Sequence, residues 1–227
     1  MKEIDLATTN VHELNALLHK VNGDSAERVW RVLNPRGRHS IGAGLHAPLE
    51  VTIEGHVGYY CGGMNKEASI TITGNAGSGV GENLMSGLIR VKGNASQYAG
   101  ASGHGGLLVI EGDAAARCGI SMKGVDIVVG GSVGHMSAFM AQAGHLVVCG
   151  DAGHHLGDSI YEAQLYVRGS VDSLGADCIE KEMRPEHLET LERLLRKADI
   201  EAQAKDFRRY GSARKLYNFH MDHADHY

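Results

Sequence analysis

A 19-residue repeat runs without a gap through residues 51–183 and limits the folds open to this chain. Seven copies begin at an aliphatic residue: Val51, Ile70, Ile89, Leu108, Ile127, Leu146 and Leu165. The fifth position of every copy is a glycine: Gly55, Gly74, Gly93, Gly112, Gly131, Gly150 and Gly169. With 31 glycines in 227 residues, chance would fill that column about once in a million trials.

Each column of the repeat has a physical reason. Positions one and three are apolar and alternate with more polar neighbours, which predicts a strand with one buried face. Position five predicts a sharp turn in which Gly takes a positive φ. Gly112→Val should then disrupt a central corner, at a cost of at least about 1 kcal/mol. Position six is polar in every copy, as suits a turn. Position twelve is Gly or Ala, which predicts a second tight corner.

One copy cannot bury its own apolar face, but stacked copies can. At an inter-strand spacing of about 4.8 Å, seven turns make a prism roughly 35 Å long. The repeat therefore predicts an all-β chain, a right-handed parallel β-helix of about seven turns with short helices at both ends. Leucine-rich and helical repeats need a helical period, and a propeller blade needs about 40 residues or more.

The regions outside the regular copies divide the chain into three parts. Residues 1–31 are predicted as a helix and lead-in, with Asn10 and Glu13 forming a capping box for a helix from Val11 to Val21. Residues 32–183 are the β-helix, with 32–50 as a degenerate extra turn. Residues 184–227 hold an amphipathic helix that caps the prism or docks on a partner, followed by an extended arm over 207–227.

Composition excludes several classes of function. The net charge is −5 and no basic stripe occurs, which argues against nucleic-acid binding. No signal peptide or membrane-length apolar run is present, so we expect a cytoplasmic protein. The four scattered cysteines are expected as free thiols. Cys61 and Cys118 share a column but lie three turns, about 14 Å, apart, too far for a disulfide or a shared metal.

Three short patterns in the sequence are candidate binding sites. Residues 42–47 match the dinucleotide fingerprint G-x-G-x-x-A, but strand repeats follow where that motif needs a helix. His135 and His154 share a column on adjacent turns, about 5 Å apart, with His155 alongside. They could bind a metal or shuttle protons, yet nothing completes a ligand set, so a surface ladder is favoured. The tail histidines His220, His223 and His226 could bind metal adventitiously.

A pair of carboxylates is the remaining catalytic candidate. Asp158 and Asp177 share position thirteen on adjacent turns, and closely placed carboxylates perform acid/base chemistry in some β-helix enzymes. Two stacked exposed carboxylates are more often a solvated face. We therefore expect no catalytic, cofactor-binding or metal-binding residue on this chain. The rival hypothesis is a self-sufficient β-helix enzyme that uses Asp158 and Asp177, with His155.

The run Gly77-Ser78-Gly79-Val80-Gly81, set within 19-residue units, resembles the GXGXG domain, the carboxy-terminal β-helix of the large subunit of glutamate synthase. The resemblance covers residues 4–183 and includes the helix start at 11–15. In that enzyme the domain does no chemistry and separates a glutaminase domain from an FMN-containing synthase barrel. A related repeat occurs in a subunit of formylmethanofuran dehydrogenase.

This chain departs from the fused enzyme because it has no amino-terminal Cys nucleophile, no barrel pattern and no clustered cysteines. The resemblance therefore implies a non-catalytic scaffold subunit, most like the free-standing β-helix subunit of N-methylglutamate synthase, which makes N-methylglutamate and ammonia from methylamine and glutamate. The implied partners are a glutaminase-like subunit and an FMN-containing synthase subunit in a hetero-oligomer. FMN, with an iron–sulfur cluster as an open addition, would lie on a partner. A split glutamate synthase or a formylmethanofuran dehydrogenase-like complex are the alternatives.

Overall fold

A computed structural model describes residues 1–21 and 27–216 of the chain. The strands are β1 (Lys2–Asp5), β2 (Val29–Leu33), β3 (Glu50–Glu54), β4 (Ser69–Ile72), β5 (Leu88–Val91), β6 (Leu107–Ile110), β7 (Lys123–Val129), β8 (Ala143–Val148), β9 (Gln164–Val167), β10 (Cys178–Lys181) and β11 (Arg208–Ser212). The helices are α1 (Val11–His19) and α2 (Pro185–Ala198), and Ala204–Asp206 form a 3₁₀ turn. Neither α1 nor α2, the two α-helices of the described residues, has the length and apolar composition of a membrane span.

The seven repeats form the parallel β-helix that the sequence predicts. Each strand from β3 to β9 pairs in parallel with the next, and residues one repeat apart lie side by side, as Val51 does with Ile70. A second parallel ladder of single bridges follows position seven, from Val57 to Val171. The inward side chains of successive turns thus build one continuous apolar core, in which Ile53, Ile72 and Val91 are fully buried.

The amino-terminal strands β1 and β2 extend the parallel sheet of the β-helix. β2 pairs with β3 and places Trp30 beside Val51, so the extra turn begins at Trp30 rather than at Val32 and is two residues longer than the repeat. β1, which we did not predict, pairs in parallel with β2. The capping box is confirmed at its cap, since Asn10 Oδ1 accepts a hydrogen bond of 2.9 Å from the Glu13 N–H. Helix α1 ends two residues earlier than expected.

The glycine column at position five has a different cause from the one we predicted. Of its seven members only Gly55 has a positive φ. The column is glycine because the polar side chain of the preceding turn crosses over it. A Cβ on Gly112 would lie 2.1 Å from Asn94 Oδ1 and 2.9 Å from the Gly93 carbonyl oxygen. The requirement is therefore space between turns rather than backbone conformation.

The polar side chains at position six link each turn to the next. Asn75 Oδ1 accepts from the Asn94 N–H at 2.9 Å, and Asn94 Oδ1 accepts from the Asp113 N–H at 2.9 Å. Similar bonds continue along the column, from His56 at one end to Ser170 at the other. Position six is thus a hydrogen-bonded ladder on the outside of the helix, and it occupies the space that glycine leaves free.

The left-handed conformations occur instead at positions ten, twelve and fourteen. The prediction for position twelve is confirmed in six copies, at Gly62, Gly81, Gly100, Gly119, Ala138 and Gly157. Positions ten and fourteen also have positive φ, although most of their residues are not glycine, as at Tyr98 and Ser102. An L-residue in this region costs roughly 1–2 kcal/mol. Backbone bonds to the next turn offset this strain, as in Tyr98 N–H to the Ala116 carbonyl.

Helix α2 packs against the outer face of the sheet, across strands β6 to β9. Its buried side chains, Leu191, Leu194, Leu195 and Ala198, contact a second core that includes Val109, Val128, Val147 and Tyr166. These four occupy position two, which in the first three turns holds Thr52, Thr71 and Arg90. The prediction that α2 caps the open end of the prism or docks on a partner is therefore wrong, because the apolar face of α2 is buried against the outer face of the sheet.

The last turn departs from the 19-residue spacing. Leu174 forms the bridge with Leu156, one residue earlier than the repeat requires. The chain then enters β10, which pairs with the antiparallel strand β11, and β11 in turn pairs with β9. The arm expected over 207–227 is thus partly a strand of the sheet, with Phe207 and Tyr210 buried. Residues 217–227 lie outside the described part.

Candidate functional site

Large side chains at the left-handed position ten, with Tyr59 beside them, lie at least partly exposed on the outside of the β-helix. We define the tyrosine stripe as Tyr59, Tyr60, Tyr98, Arg117 and Met136. The Tyr59 and Tyr60 rings are half exposed and meet edge to face, with their centroids 6.4 Å apart. The guanidinium of Arg117 lies 5.9 Å from the centre of the Tyr98 ring and contacts Met136 Sδ at 3.9 Å. The stripe thus consists of two contact groups, Tyr59 with Tyr60 and Tyr98 with Arg117 and Met136, on either side of the Gly79 turn.

The register of the repeat contains this column, but the sequence does not show that position ten faces outward with a left-handed backbone. Tyr60 and Tyr98 both occupy position ten, and both have a positive φ. Between them stands Gly79, where a Cβ would come within 2.7 Å of the Tyr60 ring. Gly79 therefore has a second role besides its left-handed φ, because it leaves room for the Tyr60 ring to lie across the next turn.

The two candidate carboxylates serve as structural acceptors. The stacking we predicted for them is wrong, because the last turn is out of register and Gly175, rather than Asp177, lies over Asp158. Asp158 accepts from the Ser159 hydroxyl at 2.8 Å and from the Ala176 N–H at 3.2 Å. Asp177 accepts from the Ser212 hydroxyl at 2.7 Å and so holds the end of β11.

The protonation of Asp177 agrees with that role. Burial by itself would raise the pKa of Asp177, but hydrogen bonds from Ser212 and from backbone N–H groups, including that of Lys215, outweigh it and lower the pKa. A general acid needs a carboxyl group whose pKa is raised toward the working pH. The local geometry therefore gives Asp177 the character of an ionised cap and does not support the acid/base hypothesis.

The candidate histidines in the described residues do not belong to a group of side chains that could bind a metal ion. The rings of His154 and His155 lie 6.2 Å apart, and His154 Nε2 is 4.0 Å from Asp172 Oδ2, with both groups largely exposed. Over residues 1–21 and 27–216, no group of three or more His, Cys, Asp or Glu side chains could hold a metal ion. His220, His223 and His226 fall outside those residues. That the chain carries no site residue of its own stays a prediction.

A histidine–carboxylate pair that we did not predict lies on adjacent turns. His145 Nδ1 is 2.7 Å from Asp126 Oδ1, and each side chain is about four-fifths buried. The His145 ring stacks at 6.3 Å on Tyr166, whose hydroxyl donates to Gln164 Oε1. The residues before position one supply this pair, at a spacing of 19 that the repeat register would have revealed.

The four cysteines are buried free thiols, as expected. Burial raises the pKa of Cys61 and of Cys118 to about 12. Burial, with the nearby charges of Asp177 and Asp158, also raises the pKa of Cys178 to about 12. A thiol with so high a pKa holds almost no thiolate at neutral pH, so these residues belong to the core and do not act as nucleophiles.

The dinucleotide-like motif at residues 42–47 is a corner of the extra turn. Gly42 and Gly44 have φ of 64° and 72°, and the chain then enters strand β3 instead of a helix. The phosphate-binding arrangement requires a helix amino terminus directly after the glycines. As the strand repeats predicted, these glycines shape the β-helix.

Comparison with known proteins gives one full-length relative. The chain is 62% identical over 228 residues to Protein GlxC of Rhizobium meliloti (strain 1021), with all of each chain covered. The chain belongs to the GlxC family. No protein-family model matches it, and no solved structure matches it. The resemblance of this GlxC-family chain to the GXGXG domain therefore depends on its repeat glycines and on the parallel β-helix that they form.

Proposed function

We propose that this GlxC-family chain is a non-catalytic scaffold subunit of a glutamate synthase-type complex, most like N-methylglutamate synthase. The observation that carries the proposal is the way the repeat uses its polar side chains. The column that begins at His56 and ends at Ser170 bonds turn to turn, and Asp158 and Asp177 close the last corner. Side chains used in this way build a rigid body, and the outward groups that remain are suited to contact with another chain.

In this proposal the tyrosine stripe is the contact surface for a partner subunit. Tyrosine, methionine and arginine are enriched at protein interfaces, where a few such side chains supply most of the binding free energy. Tyr60 and Tyr98 are held by the corner backbone, and Arg117 and Met136 extend the same row. A row whose corner backbone is already fixed loses little backbone conformational entropy when a partner covers it.

The partners follow from the resemblance to the GXGXG domain. We assign the hydrolysis of glutamine to a glutaminase-like subunit and the synthase reaction to an FMN-containing subunit, with this chain joining the two. FMN, and an iron–sulfur cluster if the complex has one, would be bound by the synthase subunit. A split glutamate synthase or a formylmethanofuran dehydrogenase-like complex would use the same scaffold with other partners.

The direct test is to assay the purified chain alone and with its partners. We expect the chain by itself to give no N-methylglutamate from methylamine and glutamate, and no hydrolysis of glutamine. We expect it to co-purify with a glutaminase-like chain and an FMN-containing chain when the three are expressed together. Turnover by the isolated chain would reject the scaffold function.

The stripe can be tested separately. Asparagine tolerates the left-handed conformation well, so Tyr60→Asn with Tyr98→Asn removes the rings while respecting the backbone. We expect this double variant to keep its melting temperature and to lose one partner in co-purification. Ile179→Asn, at an exposed apolar residue on the last turn, is the control. Equal retention of both partners by the double variant would place the interface elsewhere.

A further inference from the structure

A basic cavity lies where the irregular last turn meets the amino terminus of α2. Its volume is about 370 Å³, within the range typical of small-molecule sites. Four basic side chains line it, Lys181, Arg184, Arg209 and Arg214, together with His187 and a single carboxylate, Glu162. The basic residues come from strands β10 and β11, from the start of α2 and from the segment after β11, and Glu162 comes from the segment before β9.

The central group of this cavity is Arg209. Its side chain comes from β11 on the outer face of the sheet, beside Tyr166 of β9, and it is 8% exposed. Nε donates to the Glu182 carbonyl oxygen at 2.9 Å. Across the described part of the chain, the guanidinium forms no ion pair within 4.0 Å, although the other arginines of the cavity do. A buried charge of this kind normally has a paired counter-charge.

His187 presents a second donor toward the same space. It lies in the first turn of α2 and is 7% exposed. Its Nδ1 accepts from the Arg184 N–H at 3.1 Å, so the neutral ring carries its proton on Nε2, where it can donate. Burial first, and then the charge of Arg209, lowers the pKa of His187. The ring is therefore a neutral donor near pH 7.

The balance of charge favours an anion. Glu162 is engaged by Arg214 at 2.8 Å, and Arg184 pairs at 3.3 Å with Glu186, which does not line the cavity. Lys181 and Arg209 are left without a carboxylate within 4.0 Å among the described residues. The amino terminus of α2 adds a partial positive charge at the same place. Burial lowers the pKa of Arg209, which is the cost that a bound anion would offset.

We infer that this cavity binds the phosphate group of a small metabolite, held by Arg209, Lys181 and His187. In this arrangement the Arg209 guanidinium would bind the phosphate from strand β11, the Lys181 ammonium from the edge strand β10 and the His187 Nε2–H from α2. A tetrahedral oxyanion can accept from all three directions at once. The cavity is larger than a free phosphate ion, which leaves room for an organic portion. The inference does not depend on the scaffold function.

The test is binding of phosphate compounds to the full-length chain at low ionic strength. Isothermal titration would use inorganic phosphate, glycerol 3-phosphate and succinate, a dianion whose charged groups are planar carboxylates instead of a tetrahedral phosphate. We expect one site per chain, with glycerol 3-phosphate at least as tight as inorganic phosphate and succinate weaker than both. Tighter binding of succinate than of either phosphate would overturn the assignment, and so would no heat of binding from any of them.

Three variants separate a built site from general screening. Lys181→Gln should weaken binding roughly tenfold, because it removes one charge-assisted bond, and Arg209→Lys should weaken it further by removing the fork. Arg208→Gln is the matched control, since Arg208 stands next to Arg209 but is exposed and outside the cavity lining. Binding weakened as much by Arg208→Gln as by Lys181→Gln would mean screening and reject the site.

A thermal-shift series guards against variants that fail to fold. A ligand that binds only the native state raises the melting temperature, so glycerol 3-phosphate should raise it for the wild type and for Arg208→Gln. The shift should be smaller for Lys181→Gln, whose side chain makes no structural hydrogen bond among those described. An undiminished shift in folded Lys181→Gln would contradict the proposed contact.

Discussion

The first three regular turns and the last four have the same interior and opposite exteriors. Inside, the strands present aliphatic residues in one register from Val51 to Val167. Outside, position two is Thr52, Thr71 and Arg90 in the first group and Val109, Val128, Val147 and Tyr166 in the second. The second group is covered by α2, whose 14 residues span about 21 Å, enough to cross four strands. The contrast shows that the repeat specifies its core, whereas a separate segment decides which exterior is buried.

The largest difference between the two exteriors should appear when a charge is placed at position two. Val128→Asp puts a carboxylate beneath α2, where Val128 is fully buried, and should cost about 3 kcal/mol or more. Thr71→Asp makes the same carboxylate on the bare half and should change the stability by less than about 1 kcal/mol. Urea unfolding followed by circular dichroism measures both. Equal costs would mean that the helix does not cover the sheet in solution.

The second largest effect should come from the position-six hydrogen-bonded ladder, which runs through the first three turns and the last four alike. Gly112→Ala should destabilise the protein by about 1–3 kcal/mol, through the clash with Asn94 Oδ1. The cost should be smaller in an Asn94→Ala background, where that oxygen is gone. A double-mutant cycle measured by thermal unfolding gives the coupling. An identical cost in both backgrounds would contradict the steric explanation for this column.

A smaller effect should mark the boundary between the halves. Arg90 donates at 2.9 Å to the Ala198 carbonyl oxygen at the end of α2 and pairs at 3.0 Å with Glu111. Arg90→Gln should cost about 1–2 kcal/mol, since it removes a charged donor from a helix carboxyl end. Arg31→Gln breaks the half-exposed ion pairs with Glu3 and Glu54 on the amino-terminal extra turn, which α2 does not cover, and should cost less than Arg90→Gln because solvent screens these pairs. Reversal of this order would mean that Arg90 does not anchor the helix.

The smallest effect should be the pH dependence from Glu111. Burial alone would raise the pKa of Glu111, but Lys92 and Arg90 outweigh it and lower the pKa below 4.5. A carboxyl group with a lowered folded pKa adds stability above its unfolded pKa and loses it as the pH falls through the folded value. Glu111→Gln should therefore show a shallower loss of melting temperature below about pH 4.5 than the wild type, whereas Glu189→Gln should follow the wild type. If the melting temperatures of all three proteins fell equally steeply below about pH 4.5, the stabilising role of ionised Glu111 would be contradicted.

Several elements were predictable because they depend on local pattern. The period of 19 places Val51 beside Ile70, and Asn10 with Glu13 marks the start of α1. The burial of the outer face beneath α2 was also predictable, since position two changes from Thr71 and Arg90 to valine in later copies. We treated that position as simply more polar, and so did not see that α2 would lie over it.

Other features could not be predicted from a column of letters. Asp177 falls in the same column as Asp158, yet the last turn shortens and Gly175 takes its place. Arg208–Ser212 form a strand because they pair with the free edge of β9. The basic and aromatic composition of this segment does not predict that pairing. The basic cavity around Arg209 exists only because that strand, β10 and the start of α2 meet there.

The 19-residue period was enough to predict a stack of seven turns, because stacking is how units with one buried face remove their apolar residues from water. The reason for the fifth-position glycines is visible only in the folded molecule. That reason is a contact between turns, in which Asn94 occupies the space a Cβ on Gly112 would take. The tertiary structure likewise decided which exterior α2 covers and where Tyr60 and Tyr98 become one surface, since these relations join residues that are distant along the chain and neighbours only after folding.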